Sequence, residues 1–369
     1  MRNQLYKIGL LTVPKRRISL CGKLTNSALQ GKISKIFEKE RVRGACIVLF
    51  DGEGRTALWG GKARKDGSLA VERDTVFRVA SLTKMVTAYG VMRLSRAGKI
   101  DLDRDIGEYL GYPVRNRAYP DVPVSLRMLL NHTSSIIDSE IYLNSPDLGG
   151  SVGQILQGNA WADRRPGEQW EYSNFAAGMI ACVLESALHQ SFEKIMQENC
   201  FAPLQVQATY YPQRVQGDLA DAWRLFPPSA KANFDAQKRQ SRPYDGDLPD
   251  PDRHFLLSQG SLCISADELA RLSAALVSDR EIFAAMRESE HPFGARDKNL
   301  SEGLGLFIYR KNGRTLYGHQ GLAYGAVHGV FFDEQGKGFV CLTSAASEER
   351  EGVMTALNQS LCQAIFEEN

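Results

Sequence analysis

At 369 residues, with 43% apolar and 24% charged side chains, the chain has a globular composition and enough length for about two lobes of ordinary size. Forty-five basic against forty-three acidic residues leave a net charge of +2 with no long like-charge run, so nothing points to nucleic acid or an anionic membrane as a partner, and small, roughly neutral substrates fit better. The seven cysteines are odd in number, scattered and free of C-x-x-C or Cys/His spacing, so they read as reduced thiols and not as a disulfide or metal framework.

Residues 1–25 carry no clear period and read as an N-terminal arm. The apolar run from Ile8 to Val13 is shorter than the core of a secretory signal and leads into Lys15-Arg16-Arg17. No stretch approaches the ~20 apolar residues of a membrane span, so a cytoplasmic location is expected. From Asn26 to Lys39, Leu29, Ile33, Ile36 and Phe37 recur at helical spacing, and Ala45 to Phe50 is the continuous apolar run of a buried strand. Asp51 to Gly54 forms a turn, after which Thr56 to Trp59 completes a hairpin.

Leu82, Met85, Val86, Tyr89 and Met92 again recur at helical spacing, so a helix is expected to begin around Ser81 and to stop at Gly98. It opens on an S-x-x-K motif, Ser81-Leu82-Thr83-Lys84. An offset of three in a first helical turn brings a hydroxyl and an ammonium close enough to exchange a proton, while the free N–H groups of the helix start point at whatever the hydroxyl attacks. Taken alone, the same four residues also suit a capping serine beside a solvated lysine.

Beyond Gly98 the pattern is mainly helical to about residue 280. A short helix follows Ser125, and longer ones are expected over 176–188, 192–200 and 266–277, the last introduced by a capping box at Ser265-Ala266-Asp267-Glu268. Residues 225–255, rich in Pro, Asp, Lys and Arg, lack a period and read either as a loop rimming a site, the favoured reading, or as a plain mobile excursion. The last ninety residues turn β-rich: one hairpin around Lys311-Asn312-Gly313, a second around Asp333 to Gly336, then a helix from about Glu348 to Phe366. The fold class expected is α+β: one antiparallel sheet flanked by N- and C-terminal helices, with a mainly helical lobe inserted. The lobes divide as 26–84 with 285–369 for the sheet and 85–284 for the helices, and the cleft between them is the natural ligand site.

Two further stretches bear on Ser81 and Lys84. Pro166-Gly167-Glu168-Gln169-Trp170-Glu171-Tyr172-Ser173-Asn174 sets a tyrosine and an asparagine two apart before a helix, and Gly318-His319-Gln320-Gly321 lies on a C-terminal strand, where a small residue lets a substrate backbone lie alongside. Together with F-R-V-A-S-L-T-K at 77–84, L-L-N-H-T-S-S at 129–135 and S-L-C-I-S-A-D-E-L-A at 261–270, these resemble the serine β-lactamase and penicillin-binding-protein superfamily over about residues 40–366. The likeness is strongest to its class C branch, which includes D-aminopeptidases, D-Ala-D-Ala carboxypeptidases and esterases, and it implies a β-lactamase/transpeptidase-like fold.

Residue by residue, the resemblance makes Ser81 the nucleophile, Lys84 its base or proton relay and Tyr172 the phenol that shares in proton transfer. Asn174 would bind a substrate amide or steady Lys84, and the backbone N–H groups of Ser81 and Leu322 would form an oxyanion hole beside Gly321. The implied activity is cleavage of an amide or ester, in a D-amino-acid peptide or small ester, through an acyl-Ser81 intermediate, with no cofactor and no metal. A catalytically weak penicillin- or peptide-binding or sensing protein is the alternative, although a pure binder has no need of Ser81, Lys84 and Tyr172 together. Two departures stand out. His319-Gln320-Gly321 replaces the Lys-Thr-Gly of β-lactamases, which argues against efficient β-lactam hydrolysis and leaves a protonated His319 to hold any substrate carboxylate. Ser134-Ser135 stands where the family commonly has Ser-Gly. His132 reads as a turn-stabilising residue, and His189, His254, His291 and His328 as ordinary surface or core histidines.

Overall fold

The alternation of side chains along strands decides how this sheet is buried. A computed structural model describes residues 2–148, 150–227 and 247–367; most of the expected loop, 228–246, lies outside these. Strands β1 (Gly44–Phe50) and β2 (Arg55–Gly61) form the expected first hairpin. They join six strands from the far end of the chain: β6 (His291–Pro292), β7 (Leu300–Glu302), β8 (Phe307–Lys311), β9 (Arg314–Ala323), β10 (Ala326–Phe332) and β11 (Gly338–Ala345). The order is β2-β1-β11-β10-β9-β8-β7-β6, antiparallel throughout. Ala45 and Ile47 of β1 face one apolar cluster while Cys46, Val48 and Phe50 face another. Both faces are covered, which is why β1 reads as an unbroken apolar run.

One cover is made of α2 (Ser27–Lys39) and the C-terminal helix Ala356–Phe366, whose Leu29, Ile33, Phe37, Leu357, Leu361 and Ile365 share a cluster with Phe331 and Phe339 of the sheet. The other is made of α3 (Leu82–Arg96) and the helix Ala266–Ser278, which packs on β1, β2 and β11. The C-terminal helix starts later than the period suggests. Residues 350–351 and 354–355 pair as a small hairpin, and Thr355 caps the helix by accepting from the Asn358 N–H. At Ser265 only half of the expected capping box forms: Ser265 accepts from the Glu268 N–H, while the Glu268 carboxylate accepts from Gln207 N instead.

Two further elements escape the sequence pattern. Residues Arg2–Leu11 of the arm form a helix (α1), docked where the Tyr6 hydroxyl accepts from the Glu348 N–H and Leu10 is buried. A three-stranded sheet joins β3 (Val76–Arg78) to β5 (Cys263–Ser265) and β4 (Ala208–Thr209), the last two inside the segment read as helical and too short to show alternation. The second matters for the site. Pairing of Phe77 with Ile264 and of Arg78 with Cys263, continued by Val79 N to Leu262 O at 2.9 Å, anchors the chain immediately before Ser81.

Candidate active site

Ala80 sits at φ +49°, a left-handed conformation costly for a residue with a Cβ, and this kink delivers Ser81 at the head of α3. Ser81 occupies the cap position, yet its side chain makes no capping bond, so the hydroxyl is not committed to the helix. It is committed to two other groups. Lys84 Nζ lies 3.2 Å from Ser81 Oγ, and the Tyr172 hydroxyl donates to the same oxygen at 2.7 Å. Lys84 is only 4% exposed, so the solvated-lysine reading does not hold.

Lys84 Nζ also donates to Asn174 Oδ1 at 2.9 Å and to the Gln259 carbonyl at 2.7 Å. The Asn174 amide is oriented for this because its Nδ2 donates to Asp138 Oδ2 at 2.9 Å. Asp138 is fixed in turn by the Phe175 N–H at 2.9 Å and the Ser173 hydroxyl at 3.0 Å. Sequence reasoning missed Asp138; it lies in a stretch without a period, and no local motif marks it. Burial pushes the Lys84 amine down to about 7, against the upward pull of the Asp138 and Glu302 carboxylates. Burial raises the Tyr172 phenol above its ordinary range, a rise opposed by its bond to Ser81.

Strand β9 borders Ser81 on the other side of the cavity. Its pairing with β8 ends at Gly318, so from there on β9 has β10 on one side and an open edge on the other. The β9–β10 hairpin closes on Ala323 and Ala326 through Tyr324-Gly325, with φ +55° and +96°. A two-residue hairpin hydrogen-bonds its closing pair, and alternation then turns the Leu322 N–H to the free edge. The Ser81 N–H has no acceptor among the described residues. A Cβ at Gly321 would lie 2.3 Å from the Val79 carbonyl, so the glycine also lets β9 close on the segment that carries Ser81. Ser81, Asn174, Gln259 and Leu322 border a cavity of about 360 Å³.

His319 does not reach this cavity. It is 1% exposed, its ring stacks on Phe307 with centroids 4.0 Å apart, and its Nδ1 lies 2.7 Å from the Gln320 carbonyl. Its Nε2 faces Glu302 Oε1 at 3.7 Å, beside His132 Nε2 at 3.9 Å. Glu302, a second residue the sequence did not flag, is fully buried and accepts from Trp170 Nε1 at 2.9 Å. Burial would raise its carboxyl, but the two imidazoles and the indole N–H outweigh this and hold it below the usual range. The expected contact of His319 with a substrate carboxylate is therefore replaced by an internal one. His132 keeps its structural part: its Nδ1 accepts from Ser173 N at 3.2 Å, its carbonyl accepts from Glu171 N at 2.8 Å, and its ring lies 4.6 Å from that of Tyr172. His328 is a core residue that takes the Thr343 N–H on Nδ1 and supports the Arg78 carbonyl from Nε2 at 3.1 Å.

A sheet lobe with helices on both faces, a Ser-x-x-Lys helix start and a tyrosine on the serine define the β-lactamase/transpeptidase fold and its serine-hydrolase superfamily. The chain belongs to the Beta-lactamase family, whose sequence model matches residues 29–362. It is similar to Protein flp of Staphylococcus aureus (strain N315), 26% identical over 210 residues covering 54% of this chain and 42% of that protein. It is also similar to the D-alanyl-D-alanine-carboxypeptidase/endopeptidase AmpH of Escherichia coli (strain K12), 26% identical over 190 residues covering 48% and 47%. The matched stretch thus spans less than half of either relative. Among solved structures, EstCE1, a hydrolase with promiscuous acyltransferase activity, superposes with a TM-score of 0.74 at 18% identity, covering 93% of this chain and all of that one. The D-amino acid amidase of Ochrobactrum anthropi SV3 does so with a TM-score of 0.70 at 20% identity, covering 93% and 99%. Among the described residues no helix is long and apolar enough to cross a membrane.

Proposed function

We propose that this protein is a serine hydrolase that cleaves an amide or ester bond, in a D-amino-acid peptide or a small ester, through an acyl-Ser81 intermediate. The observation that carries the reading is the convergence of Lys84 Nζ and the Tyr172 hydroxyl on Ser81 Oγ. A neutral amine has two N–H groups and one lone pair; with the N–H groups on Asn174 Oδ1 and the Gln259 carbonyl, the lone pair is left for the Ser81 proton. Lys84 is the base, since burial brings it near neutrality, whereas Tyr172 stays a phenol. Tyr172 then donates to Ser81 Oγ at rest and relays a proton to the leaving group as the acyl-enzyme forms. The N–H groups of Ser81 and Leu322 stabilise the tetrahedral oxyanion, and water releases the acyl group in a second passage through the same steps.

The test is covalent labelling. A fluorophosphonate should add its mass to the peptide containing Ser81, and Ser81→Ala should abolish the adduct without loss of fold. An adduct that persists in Ser81→Ala places the nucleophile elsewhere. A purely binding or sensing protein would retain a peptide or penicillin without turnover, so release of product over many cycles separates the two readings.

A further inference from the structure

Among the described residues the cavity over Ser81 is lopsided in charge: two arginines, Arg78 and Arg224, line it, and no Asp or Glu does. Arg224 is a rim residue, 46% exposed, with its Nε 3.4 Å from Glu348. Arg78 is placed differently. It stands on β3 three residues before Ser81, donates from Nη1 to the Gly260 carbonyl at 3.0 Å, and lies over the Tyr324 ring at 5.3 Å. The side chains that bear on its charge are Tyr324 and Cys263, neither of them a carboxylate. Its Nε and Nη2 have no acceptor among the described residues and are not sealed from solvent, and the side chain lines both this cavity and a smaller neighbouring one bordered by Tyr324 and His328. A guanidinium cannot relieve its enclosure by losing a proton, and among the described residues no carboxylate compensates its charge.

We propose that Arg78 is a specificity-determining residue and that the substrate carries a carboxylate, bound by the two free edges of this guanidinium. The proposal rests on the reading of Ser81 as nucleophile, because it places the anion in the cavity that serves that residue. A planar carboxylate meets paired N–H groups on a guanidinium in a way a point-charge ammonium cannot match. The balanced charge of the whole chain, which favours neutral substrates, does not describe this cavity, since field is local to the site. The role expected of His319 thus passes from β9 to β3.

The carboxylate can belong to the acyl part or to the leaving group, and two pairs of probes separate these. p-Nitrophenyl hydrogen glutarate carries it in the acyl part, 3-acetoxybenzoate in the leaving group, and each is compared with its own methyl ester. In the parent protein kcat/KM for one of the acids should exceed that of its ester by roughly 10- to 100-fold, the range of charge-assisted hydrogen bonds. The acid that gains identifies the side. Arg78→Met should bring that ratio to about one, and Arg78→Lys should keep part of it. Protection of Ser81 against fluorophosphonate by glutarate, and not by dimethyl glutarate, is a second readout that needs no variant. If the parent hydrolyses the esters with no preference for either acid and glutarate gives no protection, the Arg78 proposal is overturned while Ser81 stands. If no probe is turned over and Ser81 is not labelled, both fall.

Discussion

At the scale of single residues, the proposed mechanism turns on which of two partners takes the proton from Ser81, and the two are driven in opposite directions by one cause. Burial disfavours charge, so it lowers a lysine and raises a tyrosine; here it brings Lys84 to about 7 and lifts Tyr172 out of its ordinary range. Below about pH 7 Lys84 is an ammonium with no lone pair, and above it the base is present. The acylation rate should therefore climb roughly tenfold per pH unit below that value and level off above it, as stopped-flow with a p-nitrophenyl ester would record. Tyr172→Phe should lower the rate by roughly 10²–10⁴-fold and leave the inflection where it is, whereas Lys84→Ala should lower it as far and remove the inflection. An inflection that persists unmoved in Lys84→Ala would assign it to another group.

At the scale of elements, the site depends on how closely β9 approaches the turn before α3. Gly321 lies against the Val79 carbonyl, two residues from Ser81, and Leu322 follows it directly on the strand. Adding a methyl group at 321 must separate the proposed oxyanion N–H groups of Ser81 and Leu322 or displace Ala80, which already holds a strained φ. Gly321→Ala should cost roughly 1–3 kcal/mol in denaturant unfolding and about 100-fold in kcat/KM, because an error near 1 Å in a positioned site is worth that much. A variant with parent activity would show that the strand yields freely and that the glycine answers to something else. The Ser135 departure has a similar geometric origin. Ser135 adopts φ +60°, the conformation that suits glycine, and is steadied by Asn116 Nδ2 donating to its hydroxyl at 3.1 Å. The loop therefore keeps its left-handed turn with a serine in the glycine position.

At the scale of the molecule, what could be read from the sequence follows the range of the interactions. The Asn312-Gly313 turn, with φ +52° and +74°, and the hairpins around it are local, and their spacing was legible. So was the start of α3, with Ser81 and Lys84 on one turn. Asp138, Glu302 and Arg78 act only through partners brought by folding, such as Asn174, His319 and Gly260, and nothing in their own neighbourhoods announces it. The cross-connection of the chain ends was legible only as too few strands at either end to make a sheet alone. Its energetic consequence can be tested by truncation. Leu357, Leu361, Ile365 and Phe366 of the C-terminal helix are each at most 3% exposed. At about 1.5–3 kcal/mol per buried side chain they contribute about 6–12 kcal/mol together, as much as the net stability of a typical domain. The same helix packs on β10 and on α2 from the other end of the chain, and its Phe366 ring meets Phe339 of β11, so its loss bares both strands and leaves α2 without its partner. A chain ending at Thr355 should show no cooperative thermal transition and should bind ANS. Removing residues 1–11 takes away a helix whose Leu5, Ile8 and Leu11 are exposed and whose Leu10 is buried. That variant should still unfold cooperatively and label at Ser81, with a lower Tm from the loss of Leu10 and of the Tyr6 bond to Glu348. A cooperative transition in the chain ending at Thr355 would mean that the sheet closes without its C-terminal cover.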